Sequence, residues 1–311
     1  MREKPFVPQV EENTMKRGFV DSLKVKIVMR ALPRGGFPSR TPGEYRPDAT
    51  AWAILALIAA GDEDNLVNSA RSRLAETQMD DGRVSLSKNY AHAFWPTALA
   101  VLAWNHSPAH SKSQLQATNF LLKTAGRHPQ RKKNSPVAHD PALRGWPWIE
   151  DTHSWVEPTS LVLLALMTMG KGDHERAEEA RLMLLDRQLE SGGWNYGNSA
   201  MFGRPLRPMP ESTGLALSAL AGNTTRNSVE KSISYLKREM NRLKTPLSFS
   251  WGFLGLSAWG ERVQIQQASL VDSFWRRETY GSYSTEELSL LMICCHAEFG
   301  ILRLFDSSGP K

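Results

Sequence analysis

The sequence predicts an all-α fold in which helical hairpins stand side by side and close into a ring. Two regularities carry that prediction. The first is a set of four apolar segments that align on a threonine: Asp48-Ala-Thr50-Ala-Trp52, Trp95-Pro-Thr97-Ala-Leu99, Glu157-Pro-Thr159-Ser-Leu161 and Glu211-Ser-Thr213-Gly-Leu215, each continuing in Ala, Leu, Ile or Val. The second is a glycine corner ahead of them. Gly35-Gly-Phe37, Gly82-Arg-Val84 and Arg144-Gly-Trp146 each end 13 residues before their threonine (37 to 50, 84 to 97, 146 to 159). Self-similarity at a kept spacing marks a repeat architecture, in which only a neighbouring unit covers each unit's apolar face.

Residues 1–45 form an N-terminal extension. Residues 1–17, with Pro5, Pro8 and mixed charges, read as loosely attached. From Phe19 to Leu32 a helix is expected, with Phe19, Leu23, Ile27, Val28 and Ala31 on one face and Lys16, Arg17, Lys24, Lys26, Arg30 and Arg34 decorating it. Such a basic amphipathic helix either lies on an anionic membrane or packs as a lid with its charges in water.

The ring spans residues 46–306. Its four threonine segments are apolar nearly all round, as helices packed on several sides are, and each opens with residues suited to a helix start. Amphipathic helices are expected between them, at about 64–77, 112–125, 173–188 and 226–242. A fifth pair is fainter, Phe249–Trp259 with Gln264–Arg276. A last helix runs from Ser284 to about Phe305, with Ser284 and Glu287 at capping-box spacing. Gly192-Gly-Trp194 stands 19 residues before Thr213, as if Met201–Leu206 were inserted, and Gly281-Ser-Tyr283 sits closer still to the last helix. About six hairpins result, apolar helices inside and amphipathic ones outside. An open solenoid would leave its concave face wet, so closure suits these inner helices better. Residues 127–143, with Arg127, Arg131, Lys132, Lys133 and three prolines, form an exposed loop whose basic cluster either binds phosphate or acidic lipid or is simply solvated. Residues 307–311 are a tail.

Composition narrows the function. The chain has 311 residues, 41% hydrophobic and 23% charged, enough for a sizeable core, and ten tryptophans supply flat apolar walls. The net charge of +6 is too mild to argue for nucleic acid. Cys294 and Cys295 are adjacent and support no disulfide framework, which fits a reducing, cytoplasmic setting. Residues 1–15 lack the apolar core of a signal peptide, and no apolar run reaches the roughly 18–20 residues that span a bilayer, so any membrane contact is expected to be peripheral.

Gln188-Leu-Glu-Ser-Gly192-Gly-Trp194 resembles the Q-x-x-x-G-x-W element of the squalene–hopene and oxidosqualene cyclases. Gln78-Met-Asp-Asp-Gly82-Arg-Val84 and Arg277-Glu-Thr-Tyr-Gly281-Ser-Tyr283 look like degraded copies. With the hairpins, most of the chain looks like the prenyltransferase/squalene-oxidase repeat superfamily, whose fold is an α/α toroid. In that element the glutamine ties an outer helix end to its neighbour and the tryptophan packs over the turn, so Trp194 reads as a clamp of the fold.

The resemblance also implies a chemistry. Class II terpene cyclases protonate an alkene or epoxide with the middle acid of an Asp-x-Asp-Asp type motif. Laid over Trp155-Val-Glu157-Pro158, that position falls on Glu157, while Trp155 and Pro158 replace the flanking acids. A helix N-terminus favours carboxylate, whereas burial among Trp146, Trp148 and Trp155 favours the acid; His153 or Asp151 is the expected tuning partner. Glu157, Glu211 and Asp48 share one repeat position, so each equally fits a helix cap. Trp146, Trp148, Trp155, Trp95, Tyr196, Glu211 and Asp48 are the expected substrate wall.

No cofactor or metal is expected. The Asp80-Asp81 doublet does not extend, and consecutive Cys294, Cys295 and His296 point about 100° apart on a helix. The expected function is a terpenoid cyclase-like protein with a central apolar cavity, an isomerase or lyase if enzymatic, acting on an isoprenoid by acid-initiated cyclisation. Two alternatives stand beside it. One is a non-catalytic toroid that binds a lipid or a protein partner. The other is a glycan-processing toroid, with Asp151 and Glu157 or Glu211 as paired carboxylates and Trp146, Trp148 and Tyr196 as sugar platforms.

Overall fold

The structure, a computed structural model, describes residues 9–62, 64–132, 135–262 and 281–305. Eleven α-helices lie among them: α1 (Gln9–Val28), α2 (Pro47–Ala59), α3 (Asn65–Glu76), α4 (Trp95–Ala103), α5 (Ser111–Lys123), α6 (Val156–Thr168), α7 (Glu175–Asp186), α8 (Pro210–Leu220), α9 (Arg226–Glu239), α10 (Pro246–Ala258) and α11 (Thr285–His296). One short β-hairpin, β1 (Ala200–Met201) with β2 (Arg204–Pro205), is the paired-strand element among the described residues.

The threonine segments are α2, α4, α6 and α8. Every residue of α2 except Ile58 is buried, and α4 exposes only part of Trp95. Helices so apolar must be covered all round, and the packing supplies that cover. α2 packs on α4, α4 on α6, α6 on α8, α8 on α10, α10 on α11, and α11 returns to α2. The amphipathic α3, α5, α7 and α9 each pack on the preceding member of this cycle. α8 and α10 approach most closely, because Gly214 lies against the Trp251 carbonyl and Gly255 against Gly214.

The 13-residue spacing has a specific cause. Each threonine hydroxyl, one and a third turns or less into its helix, accepts from the last residue of the glycine corner: Phe37 N at 2.8 Å from Thr50, Val84 N at 3.0 Å from Thr97, Trp146 N at 3.0 Å from Thr159. The same hydroxyl donates back to that residue's carbonyl. Thr213 treats Trp194 identically across 19 residues, the surplus being taken up by the β-hairpin. Both backbone groups are buried and need partners. Thr159→Val is therefore expected to cost roughly 1–3 kcal/mol in urea unfolding, since it strands the buried Trp146 N–H and carbonyl.

Neighbouring amphipathic helices are tied at the same corners. Gln188 Nε2 donates to the Ser228 carbonyl and to Ser232 Oγ of α9, and Gln78 Nε2 donates to the Ser113 carbonyl of α5. The Trp194 indole N–H donates to Leu184 O, and those of Trp104, Trp146 and Trp259 donate to Arg71, Leu121 and Leu217 O.

Three features differ from the sequence expectations. The N-terminal helix begins at Gln9 and ends at Val28, so residues 9–17 are helical and the chain turns before Pro33. Arg30, two residues past its end, is partly buried and donates to the Tyr283 carbonyl and to Thr285, tying this turn to the start of α11. The last helix stops at His296; Gly300, at φ +88°, then packs against Ala258, and Ile301–Phe305 follows as a 3-10 turn. The expected helix Gln264–Arg276 lies outside the described residues. No described helix is long and apolar enough to cross a membrane.

Candidate functional site

The starts of the ring helices carry a series of acids, each handed to a hydroxyl on the next element. Glu157 Oε1, in the first turn of α6, accepts from Ser212 Oγ of α8 at 2.9 Å. Glu211 Oε2 on α8 accepts from Ser248 Oγ of α10 at 2.8 Å, and Glu286 Oε2 on α11 accepts from Ser39 Oγ at 3.0 Å. Asp48 departs from the pattern: Arg46 grips both its oxygens, at 2.9 and 2.6 Å.

The surroundings of Glu157 oppose its ionisation. Burial pushes its carboxyl above the usual glutamate range; the Ser212 hydrogen bond pulls the other way, and the charge of Glu211 adds to the rise. Tyr196 stands in the field of both carboxylates, half-exposed, with its carbonyl accepting from Val156 N at the start of α6. Glu157, Glu211 and Tyr196 thus form one group.

Trp148, Asp151, His153 and Trp155 form another. Together with Arg127, Pro129, Ile149 and Thr152 they line an open pocket of about 580 Å³ beside the N-terminus of α6. Trp148 meets Trp95 edge to face at 5.4 Å between ring centres, and His153 lies tilted on Trp155 at 4.3 Å. Trp155 links the two groups, since it lines the pocket and caps the helix that carries Glu157.

The expected tuning partners are elsewhere. Asp151 is exposed, in a left-handed turn (φ +61°), 3.9 Å from Arg127. The His153 ring is occupied by Trp155. The groups that act on Glu157 are Ser212 and Glu211, whose contact across two helices no local spacing reveals. Trp146 is also placed differently: it is fully buried, with Arg176 over its face at 4.2 Å and its N–H on Leu121 O, so it clamps hairpins and presents no surface to a ligand. Trp52 of α2 and Trp251 of α10 meet edge to face at 5.8 Å, bridging the two helices that flank α11.

Two buried residues that the sequence reading passed over lie behind the pocket loop. Arg187 donates to the Gly197 carbonyl at 2.8 Å and the Ser154 carbonyl at 3.4 Å, joining the pocket loop to the Tyr196 turn. Burial lowers its pKa to about 10. His139 lies near it and is lowered to about 4, by burial first and then by the charges of Arg187 and His153. A histidine kept neutral in the fold loses stabilisation as pH drops below its ordinary 6.5, because the unfolded chain takes up the proton first. Thermal stability is expected to fall between pH 6.5 and about 4, and His139→Gln to flatten that slope.

Cys294 and Cys295 are buried, and no group of three or more metal-ligating side chains occurs among the described residues.

No family model matches the chain, and no curated protein does. Solved structures do. A substituted form of the type II terpene cyclase MstE from Scytonema, bound to its substrate geranylgeranyl dihydroxybenzoate, superposes with a TM-score of 0.62 at 12% identity over 96% of this chain and 100% of that one. The α-1,6-mannanase of Salegentibacter gives 0.61 at 11% identity over 91% and 98%. A protein from Actinoplanes gives 0.56 at 13% over 93% and 99%. The fold is an α/α toroid. It is related to that of type II terpene cyclases and other toroid enzymes, and identities this low establish the architecture alone. In this toroid the acids, Tyr196 and the aromatic pocket gather at one end of the helix ring.

Proposed function

We propose that this protein is an acid-initiated cyclase of an isoprenoid substrate, with Glu157 as the proton donor. The observation that carries the reading is a glutamate at the start of a ring helix whose carboxyl burial pushes above the ordinary glutamate range and whose oxygen accepts from a serine hydroxyl. An acid of this kind delivers a proton to an alkene, and the pair of electrons that forms the new C–H bond leaves a carbocation for ring closure. Trp148, Trp155 and Trp95 supply apolar walls and π-faces that suit an isoprenoid chain and its cations. The likeness to a terpene cyclase with a geranylgeranyl substrate supports this reading.

The test is incubation of the purified chain with squalene and with short prenyl diphosphates, with product analysis by mass spectrometry, for wild type and Glu157→Gln. Cyclic product lost in the variant supports the cyclase. Tight binding without turnover in either protein would make the toroid a lipid-binding module. A second reading, glycan processing, draws on the mannanase likeness and on the aromatic pocket with its exposed Asp151; release of reducing sugar from an α-linked mannan would favour it.

A further inference from the structure

The β-hairpin inserted between Trp194 and Thr213 holds a phenylalanine out of the molecule. Phe202 and Gly203 form its tip at φ +49° and +74°, and Phe202 is 80% exposed. The backbone there is well tied: Phe202 N donates to Pro136 O at 2.9 Å, Met201 bridges Val137, and Leu206 N donates to Ser199 O. Nothing lies within 4 Å of a Cβ built on Gly203, so the tip stands clear of its neighbours. A large apolar side chain fixed in water by its own backbone contributes nothing to the core.

Its surroundings carry an excess of positive charge. Residues 191–210 contain Arg204 and Arg207 and no carboxylate. The described part of the loop the hairpin leans on carries Arg127, His128, Arg131 and Lys132, with Asp140 at its far end and Asp151 3.9 Å from Arg127. Arg204, Arg207 and Lys132 are exposed, and no ion pair neutralises them among the described residues. Arg127 and Pro129 of this loop also rim the aromatic pocket.

We propose that this face is a docking surface for an anionic phospholipid bilayer, with Phe202 entering the headgroup region and Arg204, Arg207, Arg131 and Lys132 meeting lipid phosphates. A phenyl ring flanked by guanidinium groups gains from both layers of that interface, apolar burial below and charge above. A nucleic acid would satisfy the cations and leave the ring without an apolar environment. Docked this way, the protein presents the pocket rim to the membrane surface. The proposal does not depend on Glu157.

The experiment is co-sedimentation of the full chain with phosphatidylcholine vesicles and with mixed phosphatidylcholine–phosphatidylserine vesicles at low and high salt. Binding is expected to the mixed vesicles, weakened by salt. R204A/R207A is expected to bind them roughly thirty-fold more weakly, at about 1 kcal/mol per basic residue near the surface. Phe202→Ala is expected to lose about tenfold through lost apolar burial. Leu115→Ala, which removes an exposed side chain from outer helix α5, and Glu157→Gln should bind like wild type, with circular dichroism verifying the fold of every variant. Equal binding to neutral and mixed vesicles, no binding to either, an unaffected Phe202→Ala variant, or tighter binding to duplex DNA than to vesicles would overturn the proposal.

Discussion

On the proposed acid-initiated cyclisation, Glu157→Gln is expected to lower turnover of an isoprenoid substrate by roughly a thousandfold or more, within the range that one general acid supplies, while leaving fold and substrate binding in place. The amide keeps an oxygen where Ser212 Oγ donates, so the helix contact survives and only the proton is removed. The pH dependence has a definite sign. The working form is the protonated one, so rate falls as pH rises through a pKa that burial holds above the ordinary 4.5. Ser212→Ala removes the hydrogen bond that favours carboxylate, so the falling limb should move to higher pH. Stability runs alongside: a raised folded-state pKa stabilises below the unfolded value and loses that contribution as pH rises through the folded one. Glu157→Gln is thus expected to be neutral at low pH and stabilising at high pH in thermal melts. A variant that keeps wild-type turnover, or a limb that moves to lower pH, would remove Glu157 from the chemistry.

Gly192→Ala is the second large effect, this time on stability. Gly192 sits at φ +89° in the corner before Trp194, and an added Cβ would run into the backbone carbonyl of Lys231 on α9. The left-handed backbone alone costs about 1–2 kcal/mol for a residue with a Cβ. Pushing the outer helix away also loosens the Gln188 and Gly193 bonds to Ser232, for a total of roughly 4 kcal/mol. Gly203→Ala separates the two causes, since its φ is +74° but its surroundings are open. It should cost only about 1 kcal/mol. Urea unfolding of both variants decides the matter, and equal losses would show that close approach contributes nothing.

The local code of this fold was legible because it is periodic. The apolar helices had to be buried, and the threonines at a kept distance from glycine corners marked where each hairpin closes; the structure turns that distance into paired hydrogen bonds such as those of Thr159 with Trp146. Gln188, read as a tie between outer helices, reaches Ser232 of the next one. The acid positions were legible too, since Asp48, Glu157 and Glu211 recur at helix starts.

The sequence alone determined that apolar helices would alternate with amphipathic ones and where each corner would fall, since helix propensity, capping and hydrophobic period act within a dozen residues. Only the tertiary structure decided which acid meets which partner. Ser212 lies 55 residues from Glu157 and comes to it because α6 packs on α8. It also decided that Trp146 is a buried clamp, with its N–H on Leu121 O and Arg176 over its face, while Trp148, two residues on, faces a pocket. The tie of Arg30 to Tyr283 and the seat of the Phe202 hairpin on Pro136 belong to the same class. Such contacts join segments remote in sequence, and their energy exists only once the whole ring has closed.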